Sequence, residues 1–373
     1  MGKVLGIISE YNPFHNGHLY HLQQSKKITG STYTVAIISG SFTQRGNTSL
    51  VDKWSKAEAA IQSGIDLVIE LPVLYTTSSA ENFADGAIKI LDSLKVVDYI
   101  SFGAETSDVD ILNKFADVLY HEPRKYKILL SHELSKGISY PKARENALMI
   151  YLNDIRKCVN VLSSPNNILG IEYLKALKKY NSNIKPVCVK RNGSDYNSTD
   201  ISVQKNNNLN SIGSATAIRE LIKSKNYEAI KSLVPSSSYS ILINCLNDGC
   251  IIPDLNVFEK EIIYILRKMS IEEIANLPDV SEGLEFSIKK AANSCNTVNE
   301  LLDIIKSKRY TITRLQRIFL YALLGISKKD MEISKKIEKP YVRILGFNEN
   351  GKKLVSEIAL KNPDIALITS VKK

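Results

Sequence analysis

Three of the five histidines in this chain, His15, His18 and His21, fall within seven residues of one another. The first two frame a glycine, in the order His15-Asn16-Gly17-His18, after the apolar run Lys3–Ser9 and the segment Glu10-Tyr-Asn-Pro-Phe14. Two imidazoles at the first turn of a helix suit attack on the α-phosphate of a nucleoside triphosphate. Such a reaction builds negative charge on a crowded phosphorus and needs no covalent enzyme intermediate, so positioning and electrostatics carry it. Ring N–H groups can donate to the non-bridging oxygens, and a helix N-terminus adds free N–H groups and a positive dipole end. Gly17 lets the backbone approach the nucleotide closely. The plain alternative is that the histidines only cap a helix. A strand-like run immediately before them and a helical pattern immediately after favour the nucleotide site, while His21, one turn on, need only be structural.

A second signal is Ser214-Ala-Thr216-Ala-Ile-Arg219. Hydroxyls at a helix start with an arginine one turn in can hold β- and γ-phosphates, the guanidinium through paired bonds. Alone, the same residues read equally well as an N-cap with an arginine on the solvent face. Lys268-Met-Ser270 imitates part of a nucleotide-binding signature, but Ser270-Ile-Glu-Glu273 is better read as a capping box. Arg45 and Lys53 are further cations that can place a carboxylate, phosphate or RNA, or simply lie on the surface. No carboxylate cluster announces a metal cage, and Cys245 and Cys250 lack the second pair that a zinc site needs.

These residues need a scaffold. Lys3–Ser9, Tyr33–Ser39, Ile65–Leu71, Asp98–Gly103 and Ile184–Lys190 read as short strands, with helical patterns over Gly17–Ile28, Asp52–Ser63, Glu81–Leu94 and Asn166–Lys179 between them. Strand and helix in alternation predict an α/β domain with a parallel sheet, its ligands beyond the carboxyl ends of the strands. Residues 192–213 are asparagine-rich and aperiodic and read as a long loop. A helix is expected over Ser214–Lys225 and a mainly helical region from Tyr227 to about Lys339. Tyr341–Phe347, Lys352–Leu360 and Ile365–Thr369 suggest a small strand–helix–strand closure. The expected division is 1–225 for the nucleotide domain and 226–373 for a mainly helical, basic domain ending in a small α/β element.

The net charge of +10 has a location. Residues 304–373 hold 16 Lys and Arg against 6 Asp and Glu, and the rest of the chain holds 33 of each. A local positive field suits a polyanion, because neutralised phosphates release condensed counterions. Lys306, Lys308, Arg309, Arg314 and Arg317, with Tyr310 among them, form the candidate RNA surface; a solvated charged face is the plain alternative. The five cysteines, an odd number without a Cys-x-x-Cys, argue for reduced thiols. Apolar runs fall far short of a membrane span, Glu10 interrupts any leader-like stretch, and a cytoplasmic protein is expected.

Together the motifs resemble those of HxGH nucleotidyltransferases, whose second signature is similar to Ser214–Arg219. More specifically the chain resembles the bacterial tRNA(Met) cytidine acetate ligases, nearly end to end. The resemblance rests on Gly6-Ile-Ile-Ser-Glu-Tyr-Asn-Pro-Phe-His-Asn-Gly-His-Leu-Tyr-His21, Gly40-Ser-Phe-Thr-Gln-Arg-Gly46, Asp52-Lys-Trp54 and Asp66-Leu-Val-Ile-Glu-Leu-Pro72. It continues through Ser101-Phe-Gly-Ala-Glu105, Ser164-Pro-Asn-Asn-Ile-Leu-Gly-Ile-Glu-Tyr173, Arg309-Tyr-Thr-Ile-Thr-Arg314 and Arg343-Ile-Leu-Gly-Phe347. It implies a Rossmann-like domain that uses ATP to turn acetate into acetyl-adenylate, releasing diphosphate. The acetyl group then passes to N4 of the wobble cytidine of elongator tRNA(Met), leaving AMP.

By the same resemblance the ATP site comprises Ile7, Ile8, Ser9, Glu10, Tyr11, Asn12, Pro13, Phe14, His15, Asn16, Gly17, His18, Leu19 and Tyr20, then Gly103, Asn166 and Arg191. To these the second motif adds Ser214, Thr216 and Arg219, with His15 and His18 as the catalytic pair. Whether Asn166 or Asn167 contacts the nucleotide stays open. Lys56 stands where the family is expected to carry arginine. Magnesium is expected with ATP, and neither a membrane nor DNA is expected as a partner. A small-metabolite adenylyltransferase, or an RNA-binding protein with a relic nucleotide site, are the competing functions.

Overall fold

The structure is a computed structural model, and it describes residues 1–106, 108–138, 140–153, 161–162, 164–191, 212–307 and 309–370. The expected asparagine-rich loop over 192–213 falls largely outside these residues, as do Cys158 and Lys308.

Among the described residues seven strands form one sheet. They are β1 (Val4–Ser9), β2 (Tyr33–Ser39), β3 (Leu67–Leu71), β4 (Tyr99–Ala104), β5 (Lys185–Lys190), β6 (Tyr341–Phe347) and β7 (Ala366–Ile368). Their order is β5-β4-β1-β2-β3-β6-β7, with the first five parallel. The strands are almost continuously apolar because both faces are covered. In β2, Val35 and Ile37 enter the core under helices Ala80–Ser93 and Pro165–Lys179, whereas Ala36 and Ile38 enter the one under helices Asn16–Thr29 and Lys53–Gln62. A period of two thus divides one run of residues between two cores.

Between β4 and β5 the chain places helices Val109–His121, Arg124–Ser135 and Tyr140–Leu152, a stretch for which periodicity had given no assignment. Leu112, Phe115 and Ala116 of the first of these belong to the core shared with the sheet.

The C-terminal half departs from the expected plan. Helices Ala215–Lys223 and Ser236–Asn247 pack on the sheet through Ile218, Ile222, Ile241 and Leu242. A separate all-helical core runs from Leu255 to Met331. The closing strand–helix–strand forms as anticipated, but β6 pairs antiparallel with β3, Ile69 opposite Ile344, and extends the main sheet. The cut expected at 225/226 is therefore not where the cores divide. Among the described residues, the cores on the sheet draw on side chains from Val4 to Cys245 and from Val342 to Ile358, and the core of the helical unit on side chains from Leu255 to Met331. The reason is an unpaired edge: β3 would otherwise expose its N–H and C=O groups, and β6 satisfies them.

Side-chain hydrogen bonds help lock the helical unit to the sheet unit. The Tyr75 hydroxyl donates to Ser334 O at 2.9 Å, and the Tyr321 hydroxyl donates to Thr77 O.

Candidate active site

In this strand order the chain runs outward from β1 in both directions, towards β2 and β3 on one side and β4 and β5 on the other. Such a reversal opens a crevice beyond the carboxyl ends of the two central strands. A cavity lies there. It is lined from β1 by Ile7 to Asn12, from β4 by Phe102 and Gly103, and from beyond β5 by Lys190 and Arg191.

The first motif enters it through an irregular turn. Tyr11 is held at φ +46°, a left-handed conformation that a bulky side chain rarely adopts, and the Asn12–Pro13 peptide is cis. His15 is the N-cap of helix Asn16–Thr29. Its Nδ1 accepts from Gly17 N at 3.0 Å, and Nδ1 of His18 accepts from His15 N at 3.2 Å. The two rings stack with centroids 3.8 Å apart. Burial lowers the pKa of His15 to about 3, reinforced by Arg191 and Arg219, and lowers that of His18 well below the usual value, reinforced by His15, Arg191 and His21.

Both rings are therefore neutral at pH 7. A neutral imidazole that accepts at Nδ1 carries its proton on Nε2, so the hydrogen-bond network assigns each ring an Nε2–H donor. Capping, set against phosphate binding as an alternative in the sequence, uses only the Nδ1 end of each ring and so does not compete with a ligand at Nε2. A Cβ on Gly17 would stand 2.8 Å from His15 Cε1, so the glycine also leaves room for the capping ring. His21 bonds Ser101 Oγ through Nε2 at 3.1 Å and is likewise kept uncharged, its pKa lowered to about 4 chiefly by burial.

The second motif meets the first. Ser214 caps helix Ala215–Lys223, accepting from Ala217 N at 3.0 Å. Arg219 donates to Asn12 O at 2.9 Å and to Thr216 Oγ1 at 3.0 Å, which turns it into the cavity and away from the solvent face. The two motifs, some 200 residues apart in sequence, thus share one wall.

Of the residues expected at the nucleotide, Ile7, Ile8, Ser9, Glu10, Tyr11, Asn12, His15, Gly17, His18, Tyr20, Gly103, Asn166, Arg191, Ser214, Thr216 and Arg219 line the cavity. Pro13, Phe14, Asn16 and Leu19 do not. Phe14 is core, and Asn16 spends its amide on Ser232 O and its backbone N–H on Leu233 O, because the helix face opposite the cavity must pack on the following helices. The asparagine pair separates cleanly. Asn166 faces the cavity and donates to Glu105 Oε1 at 2.6 Å, whereas buried Asn167 accepts from Thr106 N and donates to Thr106 Oγ1, fixing the loop after β4. Lining residues not anticipated include Phe83, Phe102, Leu169, Tyr173 and Lys190. Phe83, Leu169 and Tyr173 in helices and Phe102 in β4 carry no signal that distinguishes a cavity wall from a core, and Lys190 reads as an ordinary strand-end cation.

The candidate RNA residues fare differently. Arg317 is buried and pairs with Asp279 at 2.8 Å, so it is withdrawn from the exposed cationic surface. Arg314 lies 5.1 Å from the Tyr310 ring centroid and donates to Asp279 O and Ser281 Oγ. Arg309 pairs with Glu282, and Lys306 with Asp303 at 2.6 Å, both at the surface. Lys308 lies outside the described residues. Arg314 and Arg317 do share a helix face, as their spacing requires, but that face meets the turn at Asp279.

Lys56 is buried, and its Nζ donates to Gly40 O at 2.9 Å and Ser49 Oγ at 3.0 Å, tying both ends of the loop after β2. Ser270 and Glu273 form the expected capping box.

A family model described as HIGH Nucleotidyl Transferase matches residues 2–373. The tRNA(Met) cytidine acetate ligase of Caldanaerobacter subterraneus subsp. tengcongensis is 46% identical over 370 residues, 99% of this chain and 89% of that protein. This chain belongs to the tRNA(Met) cytidine acetate ligase family. The ligase of Acetivibrio thermocellus is 45% identical over 96% of the chain and 86% of its own length. The crystal structure of Thermotoga maritima TmcAL bound with alpha-thio ATP superposes with a TM-score of 0.90 at 35% identity, covering 98% of this chain and 85% of that one. As a member of the cytidine acetate ligase family the chain is an enzyme of the nucleotidyl transferase class. No helix among the described residues is long and apolar enough to cross a membrane.

Proposed function

We propose that this chain activates acetate with ATP and acetylates N4 of the wobble cytidine of elongator tRNA(Met), releasing AMP and diphosphate. The observation that carries the reading is the convergence of two uncharged histidines, each with an Nε2–H donor, and Arg191 and Arg219 in one cavity at the switch point. Near full-length likeness to cytidine acetate ligases supports the choice of acceptor.

An acetate oxygen attacks the α-phosphorus, the bond to the bridging β-oxygen breaks, and diphosphate leaves with the electron pair. The Nε2–H groups of His15 and His18 donate to oxygens on which charge grows, and Arg219, beside Ser214 and Thr216, holds the leaving diphosphate. Uncharged donors suit this step, because Arg191 and Arg219 already supply the positive charge. The cytidine amine then attacks the acetyl carbon, AMP departs, and the amine proton passes to the departing phosphate or to water. Magnesium accompanies ATP in this scheme. Glu10 is the carboxylate among the described lining residues, so phosphate oxygens would provide most ligands of a cation that neutralises the diphosphate. Lys306, Arg309 and Arg314, with Lys308, remain the proposed RNA contacts, and the cytoplasm, where tRNA and ATP meet, is the proposed location.

The test is AMP release from ATP by the purified protein, with and without acetate and tRNA(Met), followed by nucleoside analysis of the RNA. Acetate-dependent AMP with acetylated cytidine is expected. AMP release that ignores acetate and tRNA would turn the reading towards an adenylyltransferase of small metabolites.

A further inference from the structure

The proposed reaction requires a place for the carboxylate that attacks ATP, which the roles given above to His15, His18 and Arg219 leave open. The cavity has a cation on its far side from β4 and β5. This is Arg45, carried by the loop between β2 and helix Lys53–Gln62. Its neighbour Gln44 is fixed at both ends: its backbone N–H donates to Glu10 Oε1 at 2.7 Å and its side-chain amide to Ser78 O at 2.9 Å. Ser78 leads directly into helix Ala80–Ser93, and Ala80 and Phe83 of that helix line the same cavity. Arg45, Ala80 and Phe83 thus belong to one stretch of cavity lining, a cation together with small and aromatic apolar side chains.

The loop is held rigidly enough to aim Arg45. Thr43 and Asn47 close a tight turn, Thr43 N donating to Asn47 O at 2.8 Å. Asn12 anchors it from β1, its Oδ1 accepting from Leu50 N at 2.7 Å, and Lys56 pins Gly40 and Ser49. Gly46, at φ +79°, rests on the helical unit, where a Cβ would stand 2.5 Å from Arg317 N. The cation–aliphatic pairing matches the two features of a short monocarboxylate: a planar anion that a guanidinium engages through two parallel bonds, and one or two apolar carbons.

We propose that Arg45, held by the Gln44 turn and sharing the cavity lining with Ala80 and Phe83, binds the carboxylate of acetate and presents it to the α-phosphorus of ATP. The inference rests on the acetate-ligase reading. Acetate enters already ionised, so no proton moves when its oxygen forms the new bond to phosphorus and diphosphate leaves.

Acetate-dependent exchange of labelled diphosphate into ATP tests the subsite without tRNA. In Arg45→Gln the KM for acetate should rise roughly ten- to a hundredfold, the loss of a charge-assisted bond, while the KM for ATP stays within about twofold. Arg45→Lys should recover part of the loss, since it keeps the charge without the planar fork. It also keeps the test alive should the glutamine variant not fold. An unchanged KM for acetate, or equal rises for acetate and ATP, would overturn the subsite. If the wild-type protein itself shows no acetate-dependent exchange, the acetate-ligase reading falls and takes the subsite with it. Exchange by the wild type that Arg45→Gln leaves intact removes the subsite alone.

Discussion

At the scale of single residues, the histidine pair makes the sharpest claim. An imidazole whose charge matters would give an acid limb near its ordinary pKa of about 6.5. Burial and the neighbouring arginines hold His15 near 3, and His18 is also far depressed. The rate of adenylate formation should therefore pass through pH 6.5 without a break attributable to these rings. A stopped assay between pH 4.5 and 8 reads this directly, and a limb near 6.5 that disappears in His18→Gln would contradict neutral donors. His15→Ala or His18→Ala should lower the rate at least about a hundredfold, the usual worth of one lost donor to developing charge. Near wild-type turnover in either would remove the pair from the phosphate.

Among elements, the loop after β2 joins the two units. Phe42 packs against the helical core while Gln44 and Arg45 face the cavity, so one turn of chain serves both. Gly46→Ala meets a positive φ and a backbone atom at once and should cost about 1–3 kcal/mol. Denaturant midpoints measure that loss; a change below a few tenths would mean the turn is not seated on the helix Ile312–Leu324. The Arg317–Asp279 pair belongs to this scale too. Arg317→Ala should destabilise the helical unit by about 1–3 kcal/mol, the lower figures allowing for Asp279 being partly solvated. Arg314→Ala should instead weaken tRNA binding with a smaller effect on stability. Equal stability losses in both variants would make Arg314 structural as well.

For the whole molecule, ionisation couples the site to folding. His15 and His21 have folded pKa values depressed to about 3 and 4. Below pH 6.5 the unfolded chain takes up protons that the folded chain refuses, so their stabilisation, complete above that value, is lost as pH falls to about 4 for His21 and about 3 for His15. Each ring adds at most about 1.4 kcal/mol per pH unit in that window. Lys56 acts at the other end. Burial lowers it to about 7, so between pH 7 and its ordinary value near 10.5 the unfolded state binds more protons and stability rises with pH. Urea titrations across pH 4–10 should show both slopes. His21→Gln should flatten the acid one and Lys56→Met the alkaline one; slopes identical to wild type would mean these groups are not buried as described. The charge distribution makes a separate claim. With its excess confined to residues 304–373, tRNA affinity should fall steeply as salt rises, and removing bases from that segment should reduce the slope.

Legibility in the sequence followed the range of the physics. The β-branched runs β1 to β3, the helix that opens at His15 and the cap at Ser214 are local consequences of spacing and side-chain shape, and the chain states them without help. The histidine motif stood out for the same reason, since a strand, a glycine and a helix start lie within twenty residues. Three-dimensional packing alone decided which groups meet across long separations. It brought Arg219 onto Asn12, seated β6 on the edge of β3, and split Asn166 from Asn167 by giving one the cavity and the other the loop. Packing also drew Arg317 inward to Asp279, although its spacing matched that of an exposed cation. A helical period fixes which residues share a face. Only the neighbour that arrives from elsewhere in the chain fixes whether that face meets solvent, a ligand or another turn.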